Sequence, residues 1–137
     1  PFRLEFVAFN GEEYLPMGDT EYLRRAEGYF QNIALAINMD GVGMALGTNS
    51  ITMLSTPEEL EAKVKQVAAG FPGVVWVDPW YESNHSSFAM RGIPAAALTS
   101  IGERAIAHFP NDTVDGVSSE RLEEVVKLVH AIIETVG

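Results

Sequence analysis

The sequence predicts an α/β fold: a three-layer α/β/α arrangement around a mixed, mostly parallel sheet. Three observations predict it. Short apolar or alternating runs ("RLEFVAF", "IALAINM", "SITMLS", "VVWV", "IPAAALTS") take turns along the chain with stretches of helical periodicity, the pattern of strands joined by covering helices. The run "IALAINM" is apolar almost throughout, as expected of a strand buried on both faces. Of the 137 residues, 47% are apolar, enough to bury a core within one domain.

Each element has its own signal. Arg3 to Phe9 alternates and then runs apolar, which predicts a strand. "DTEYLRRAEGYF" predicts a helix with Asp19 or Thr20 as N-cap. Strands follow at "IALAINM" and "SITMLS". In "STPEELEAKVKQVAAGFPG", Thr56 suits an N-cap, Pro57 the first helical position and Glu59 the closing residue of a capping box. Leu60, Val64 and Val67 make the apolar stripe of that helix, and Gly70 with Pro72 ends it. "VVWV" and "IPAAALTS" predict two more strands. In the last stretch Leu122, Val125, Val126, Val129, Ile132, Ile133 and Val136 recur at three- and four-residue steps, an amphipathic helix. No internal repeat, low-complexity tract or linker divides the chain.

Composition narrows the function. With 9 Lys+Arg against 19 Asp+Glu the net charge is −10, which argues against nucleic acid as a partner, since phosphates need a basic face. There is no cysteine, so disulfides and thiolate metal sites are excluded while the compartment stays open. No apolar run has the length of a membrane span. Pro1 stands first, without an initiator methionine, so the chain is expected to be cut from something longer.

Four short stretches place polar residues at strand ends or in long loops, where ligands of open α/β sheets collect. They are Glu12-Glu13, Asp40 in "INMDGVG", His85 in "ESNHSSF" and His108 in "AHFPNDT". Each has an ordinary structural reading as well. Two adjacent acids can be a solvated turn, and Asp40 an Asp-Gly turn residue. His85 can hydrogen-bond a loop, and His108 can pack beside Phe109. His130 falls on the polar side of the last helix with Lys127 and Glu134. Asp, Glu and His are also the residue types that bind zinc through oxygen and nitrogen.

Taken together, "NGEE", "INMDGVG", "NHSSFAMRGIPAAAL" and "HFPNDTVD", in this order, resemble the co-catalytic zinc aminopeptidases, the metallopeptidase family that also includes the glutaminyl cyclases. The resemblance runs over nearly the whole chain, and the His-x-Pro-Asn-Asp-Thr loop is its most specific motif. It implies a zinc-exopeptidase-like fold, a peptide substrate and two zinc ions in the complete site. It implies that Glu12 is the general base, that Glu13 and His108 bind one zinc and that Asp40 binds the other. His85 and Asn84, which stands where the family usually has Asp, would act from behind the site or on the substrate side. Asn111 and Asp112 would shape the loop that aims His108. A dication beside Glu13 would also relieve the repulsion between the two neighbouring acids.

The family carries another His ligand and a metal-bridging Asp upstream of the Gly-Glu-Glu turn, and this chain starts ten residues before Gly11. Residues 1–137 are therefore expected to be the C-terminal portion of a peptidase-like catalytic domain, with a sheet incomplete on its N-terminal side. The expected function is hydrolysis of N-terminal peptide bonds by the parent protein, with the fragment alone inactive and prone to self-association through its truncated side. The resemblance is compatible with a secreted or periplasmic location. Alternatives are a glutaminyl cyclase and a peptidase-like binding domain without activity. A nucleotide-binding domain is a weaker rival, because the glycines of "DGVGMALG" precede a strand rather than open a helix. Trp76, Trp80 and Tyr81 are candidates for lining a substrate pocket.

Overall fold

Four strands pair into one sheet in the computed structural model of the chain, which describes residues 3–13, 15, 17–102 and 105–137. They are β1 (Ala36–Met39), β2 (Thr48–Leu54), β3 (Val74–Trp76) and β4 (Ala95–Ile101), in the order β1-β4-β2-β3. β1 runs parallel to β4 and β2 parallel to β3, while the central pair β2–β4 is antiparallel, with Thr48 opposite Ile101 and Leu54 opposite Ala95. The sheet is thus mixed and mostly parallel. β1 and β4 end, and β2 begins, at the same rim.

Side chains alternate between the two faces of a strand. On one face Ile51, Met53, Val74, Ala96 and Leu98 are buried under α2 (Glu58–Ala68) and α4 (Ser119–Val136), against Val64, Ala68, Val125, Leu128 and Ile132. On the other, Leu54 and Ala95 meet Leu23 of α1 (Met17–Arg25), Phe88 and Ala89 of α3 (His85–Ala89), and Ile93. The three layers are those the sequence predicts. Among the described residues no helix is long and apolar enough to cross a membrane.

Several local expectations are corrected. Arg3 to Phe9 is not a strand: it pairs with nothing in the described sheet, and Leu4, Phe6 and Val7 are 50%, 88% and 42% exposed. Strandedness is a property of a pair, and an alternating run without a neighbour has no ladder to join. Phe9 is anchored, packing against Tyr22 and Phe88 with ring centroids 5.7 and 6.1 Å away. "IALAINM" yields only the four-residue edge strand β1, with Met39 half exposed. α1 starts at Met17, so Asp19 lies in its first turn. Pro57 rather than Thr56 caps α2, and no capping box forms, because the Thr56 hydroxyl donates to the Leu54 carbonyl at 2.8 Å. α4 is capped by Ser118, whose Oγ accepts from the Arg121 N–H. Its buried side is Val125, Leu128 and Ile132, and Val126 faces outward at 65% exposure. The buried side therefore shares Val125 and Ile132 with the predicted stripe and is shifted from it toward Leu128.

Candidate active site

The Glu12-Glu13 turn is pinned from two sides. Phe9 fixes the chain before it, and the first turn of α1 fixes the chain after it, where the Gly18 N–H donates to the Asn10 carbonyl at 3.1 Å. Gly18 has to be a glycine here: a Cβ would lie 2.7 Å from the Asn10 carbonyl oxygen and 2.9 Å from its nitrogen, both backbone atoms. Asp40 follows β1 and is still held by the ladder, its N–H donating to the Leu98 carbonyl at 3.1 Å. Asn38 and Asp40 share a strand face, and one serine joins them. Asn38 Nδ2 donates to Ser83 Oγ at 2.9 Å, and Ser83 Oγ donates to Asp40 Oδ2 at 2.7 Å. His108 lies in the loop after β4 with φ +66°, in the left-handed region where a histidine is uncommon.

These pieces meet. Glu12, Glu13, Asp40 and His108 all line one cleft of about 760 Å³ at the rim where β1 and β4 end. His108 Nε2 lies 3.0 Å from Glu13 Oε2, with both side chains largely exposed. The Glu12 carboxyl is pushed up from its ordinary 4.5, first by partial burial, then by the negative charges of Asp40, Glu13 and Asp19, with His108 pulling the other way. Such a carboxyl is better matched to moving protons near neutrality than an unperturbed one.

The remaining predicted residues stand behind the cleft. His85 is buried, and its Nε2 donates to the Trp80 carbonyl at 2.7 Å. Asn84 precedes α3, with its Nδ2 buried. Of the three aromatic candidates only Trp80 lines the cleft: Trp76 lies under the Lys65 ammonium at 4.9 Å, and Tyr81 is exposed. Sequence reasoning missed Ser83, and it missed Asp78, Glu82 and Ile101 in the cleft wall. For Ser83 a signal existed, since Asn38 and Asp40 two apart on a strand share a face and call for a common partner.

The donors fit zinc in kind, being carboxylate and imidazole. The Glu13–His108 pair also fits in spacing, since two donors on one tetrahedral zinc stand roughly 3.3 Å apart. They fall short in number. Among the described residues no group of three or more His, Cys, Asp or Glu is placed to hold a metal ion, whereas a catalytic zinc has three protein ligands.

The layered α/β fold is shared with bacterial aminopeptidases of known structure. BSAP, a zinc aminopeptidase from Bacillus subtilis, superposes with a TM-score of 0.76 at 23% identity, over 92% of this chain and 34% of that one. The aminopeptidase from Aneurinibacillus sp. strain AM-1 gives 0.76 at 25% identity, over 91% and 31%. LapA aminopeptidase from Legionella pneumophila gives 0.69 at 20% identity, over 90% and 37%. The chain thus spans about a third of the length of these proteins. No curated protein matches it by sequence. The sequence model of peptidase family M28 matches residues 1–133, and the chain belongs to that family.

Proposed function

We propose that this chain is part of a zinc-dependent aminopeptidase, and that Glu12 is its general base. The observation that carries this reading is the convergence of Glu12, Glu13, Asp40 and His108 on one cleft in a member of peptidase family M28. Glu13 and His108 would hold one zinc and Asp40 a second. A zinc ion at such a site supplies Lewis acidity toward a peptide carbonyl and makes water acidic near neutral pH. Glu12, next to Glu13 and lining the same cleft, would take a proton from the attacking water and return it to the leaving amine. Ser83 holds one oxygen of Asp40, which fixes the carboxylate's orientation toward the cleft.

The ligand count extends the proposal. Residues 1–137 alone bind zinc weakly and turn over no peptide, and the complete site needs donors from a longer chain. Supporting this, the described residues supply two neighbouring donors and one more apart from them.

Two variants of the whole protein test the roles. Glu12→Gln should abolish hydrolysis of aminoacyl anilides and keep zinc, a loss of roughly a hundredfold or more. Glu13→Ala should lower zinc content as well. Equal metal loss in the two variants overturns the assignment. A peptide with N-terminal glutamine belongs in the same panel, since its cyclisation in place of anilide hydrolysis would move the reading to a glutaminyl cyclase.

A further inference from the structure

Trp80 lies in a stretch, Val77–Tyr81, that belongs to no strand or helix, yet the residue lines the cleft. Something outside that stretch must fix it. His85 sits at the start of α3 and is 1% exposed; Phe88 and Ala89, one turn on, are buried in the core, so the histidine rides on an anchored element. Its Nε2 lies 2.7 Å from the Trp80 carbonyl oxygen, and the two rings meet edge to face with centroids 4.4 Å apart at 73°.

The chemistry of that contact defines the histidine's state. A carbonyl only accepts, so Nε2 carries the hydrogen, and Nδ1 of the neutral ring is a bare acceptor. Nδ1 is buried with no partner among the described residues. A proton there would be an unsatisfied buried donor, and burial accordingly lowers the His85 pKa. The ring is thus a neutral, single-tautomer clamp that grips Trp80 by backbone and by ring.

We infer that His85 is a positioning residue that fixes Trp80 in the cleft wall and thereby sets which N-terminal side chain the cleft admits. The inference rests on the aminopeptidase reading for its substrate. Its geometry does not depend on that reading.

The test uses the whole protein and four forms: wild type, His85→Gln, Trp80→Ala and the double variant, each assayed on alanyl and leucyl anilides. The KM ratio between the two substrates should change roughly fivefold or more in both single variants, and by more than the kcat ratio does. The double variant should be no worse than Trp80→Ala, because the pair acts as one unit. A uniform loss of kcat on both substrates, or additive losses, overturns the inference. If the wild type hydrolyses no anilide, the aminopeptidase reading has failed, and the clamp is read by NMR instead. In ¹⁵N-histidine-labelled wild type, His85 should show the Nε2–H tautomer, and the Trp80 indole resonance should move in His85→Gln. An Nδ1–H tautomer or an unmoved indole signal overturns the clamp.

Discussion

The two faces of the sheet are finished to different standards. Under α2 and α4 the buried polar groups are saturated. Asn49, fully buried, accepts from the Gly43 N–H at 3.1 Å and from Ser100 Oγ at 3.3 Å, and its amide donates to the Arg121 carbonyl at 2.9 Å and Glu124 Oε2 at 3.3 Å. Those four bonds are all that a side-chain amide can make. Glu124 in turn accepts from the Gly73 N–H at 3.1 Å. On the cleft side, Asp19 Oδ2, Thr52 Oγ1, Trp80 Nε1, Asn84 Nδ2 and His85 Nδ1 are buried without a partner among the described residues. Five carboxylate residues, Glu12, Glu13, Asp40, Asp78 and Glu82, also line one cleft there. Unsatisfied buried groups and like charges both cost stability. One face holds the fold together; the other gives up stability around the cleft.

The largest effect should come from breaking the saturated face and relieving the other. Asn49→Ala leaves the Gly43 N–H, the Arg121 carbonyl and the Glu124 carboxylate short of a partner, and should destabilise by about 3 kcal/mol or more. Thr52→Val removes a hydroxyl that has no partner and keeps the branched shape, and should fall within about 1 kcal/mol of wild type, on the stabilising side. Urea midpoints measure both. Equal costs at the two positions would mean that the asymmetry has no energetic content.

A smaller effect should separate stability from geometry on the cleft side. Gly18→Ala drives a methyl into the Asn10 backbone, and either α1 or the Glu12-Glu13 turn must move. Overpacking of this kind costs about 1–3 kcal/mol. Displacing the turn by a fraction of an ångström should also lower kcat of the whole protein roughly tenfold or more, since misplaced catalytic groups are costly. The comparison is kcat against the urea midpoint. A loss of stability with kcat intact would show that α1 does not set the turn.

The same contrast explains what could be read from the sequence. The α2 and α4 side was legible because its signals are local: apolar residues recurring at three- and four-residue steps. Even there the phase of α4 slipped, since Leu128 and Val126 differ only in where the helix meets the sheet. The cleft side depends on contacts between distant residues. Arg3 to Phe9 reads as a strand by composition, but a strand exists only with a neighbour. α3 has five residues, too few to show a period. Glu12, Glu13, Asp40 and His108 were legible because their motifs are short and specific. The Ser83 link to Asp40 spans 43 residues and its link to Asn38 spans 45, so no window of the sequence contains them. Nor does the sequence show that His85 grips a main-chain carbonyl.

The smallest expected effect is a slope. His85 is buried and neutral on the unsaturated side, whereas His130 is exposed on α4, with its Nδ1 3.6 Å from Glu134. Burial lowers the His85 pKa from its ordinary 6.5, while the charges of Asp40 and Glu82 pull it the other way without winning. Below pH 6.5 the unfolded chain therefore takes up a proton at this residue that the folded chain refuses. The stability that His85 contributes is complete above 6.5 and is lost as pH falls toward its folded pKa. Glu12, with its pKa raised, gives a slope of opposite sign starting from its ordinary 4.5, so the difference between two proteins is the cleaner measure. Urea midpoints of wild type and His85→Gln, taken from about pH 7.5 down to about pH 5, should converge as pH falls. Parallel curves for wild type and His85→Gln would mean that the ring accepts its second proton without cost, which a buried Nδ1 lacking a partner among the described residues does not permit.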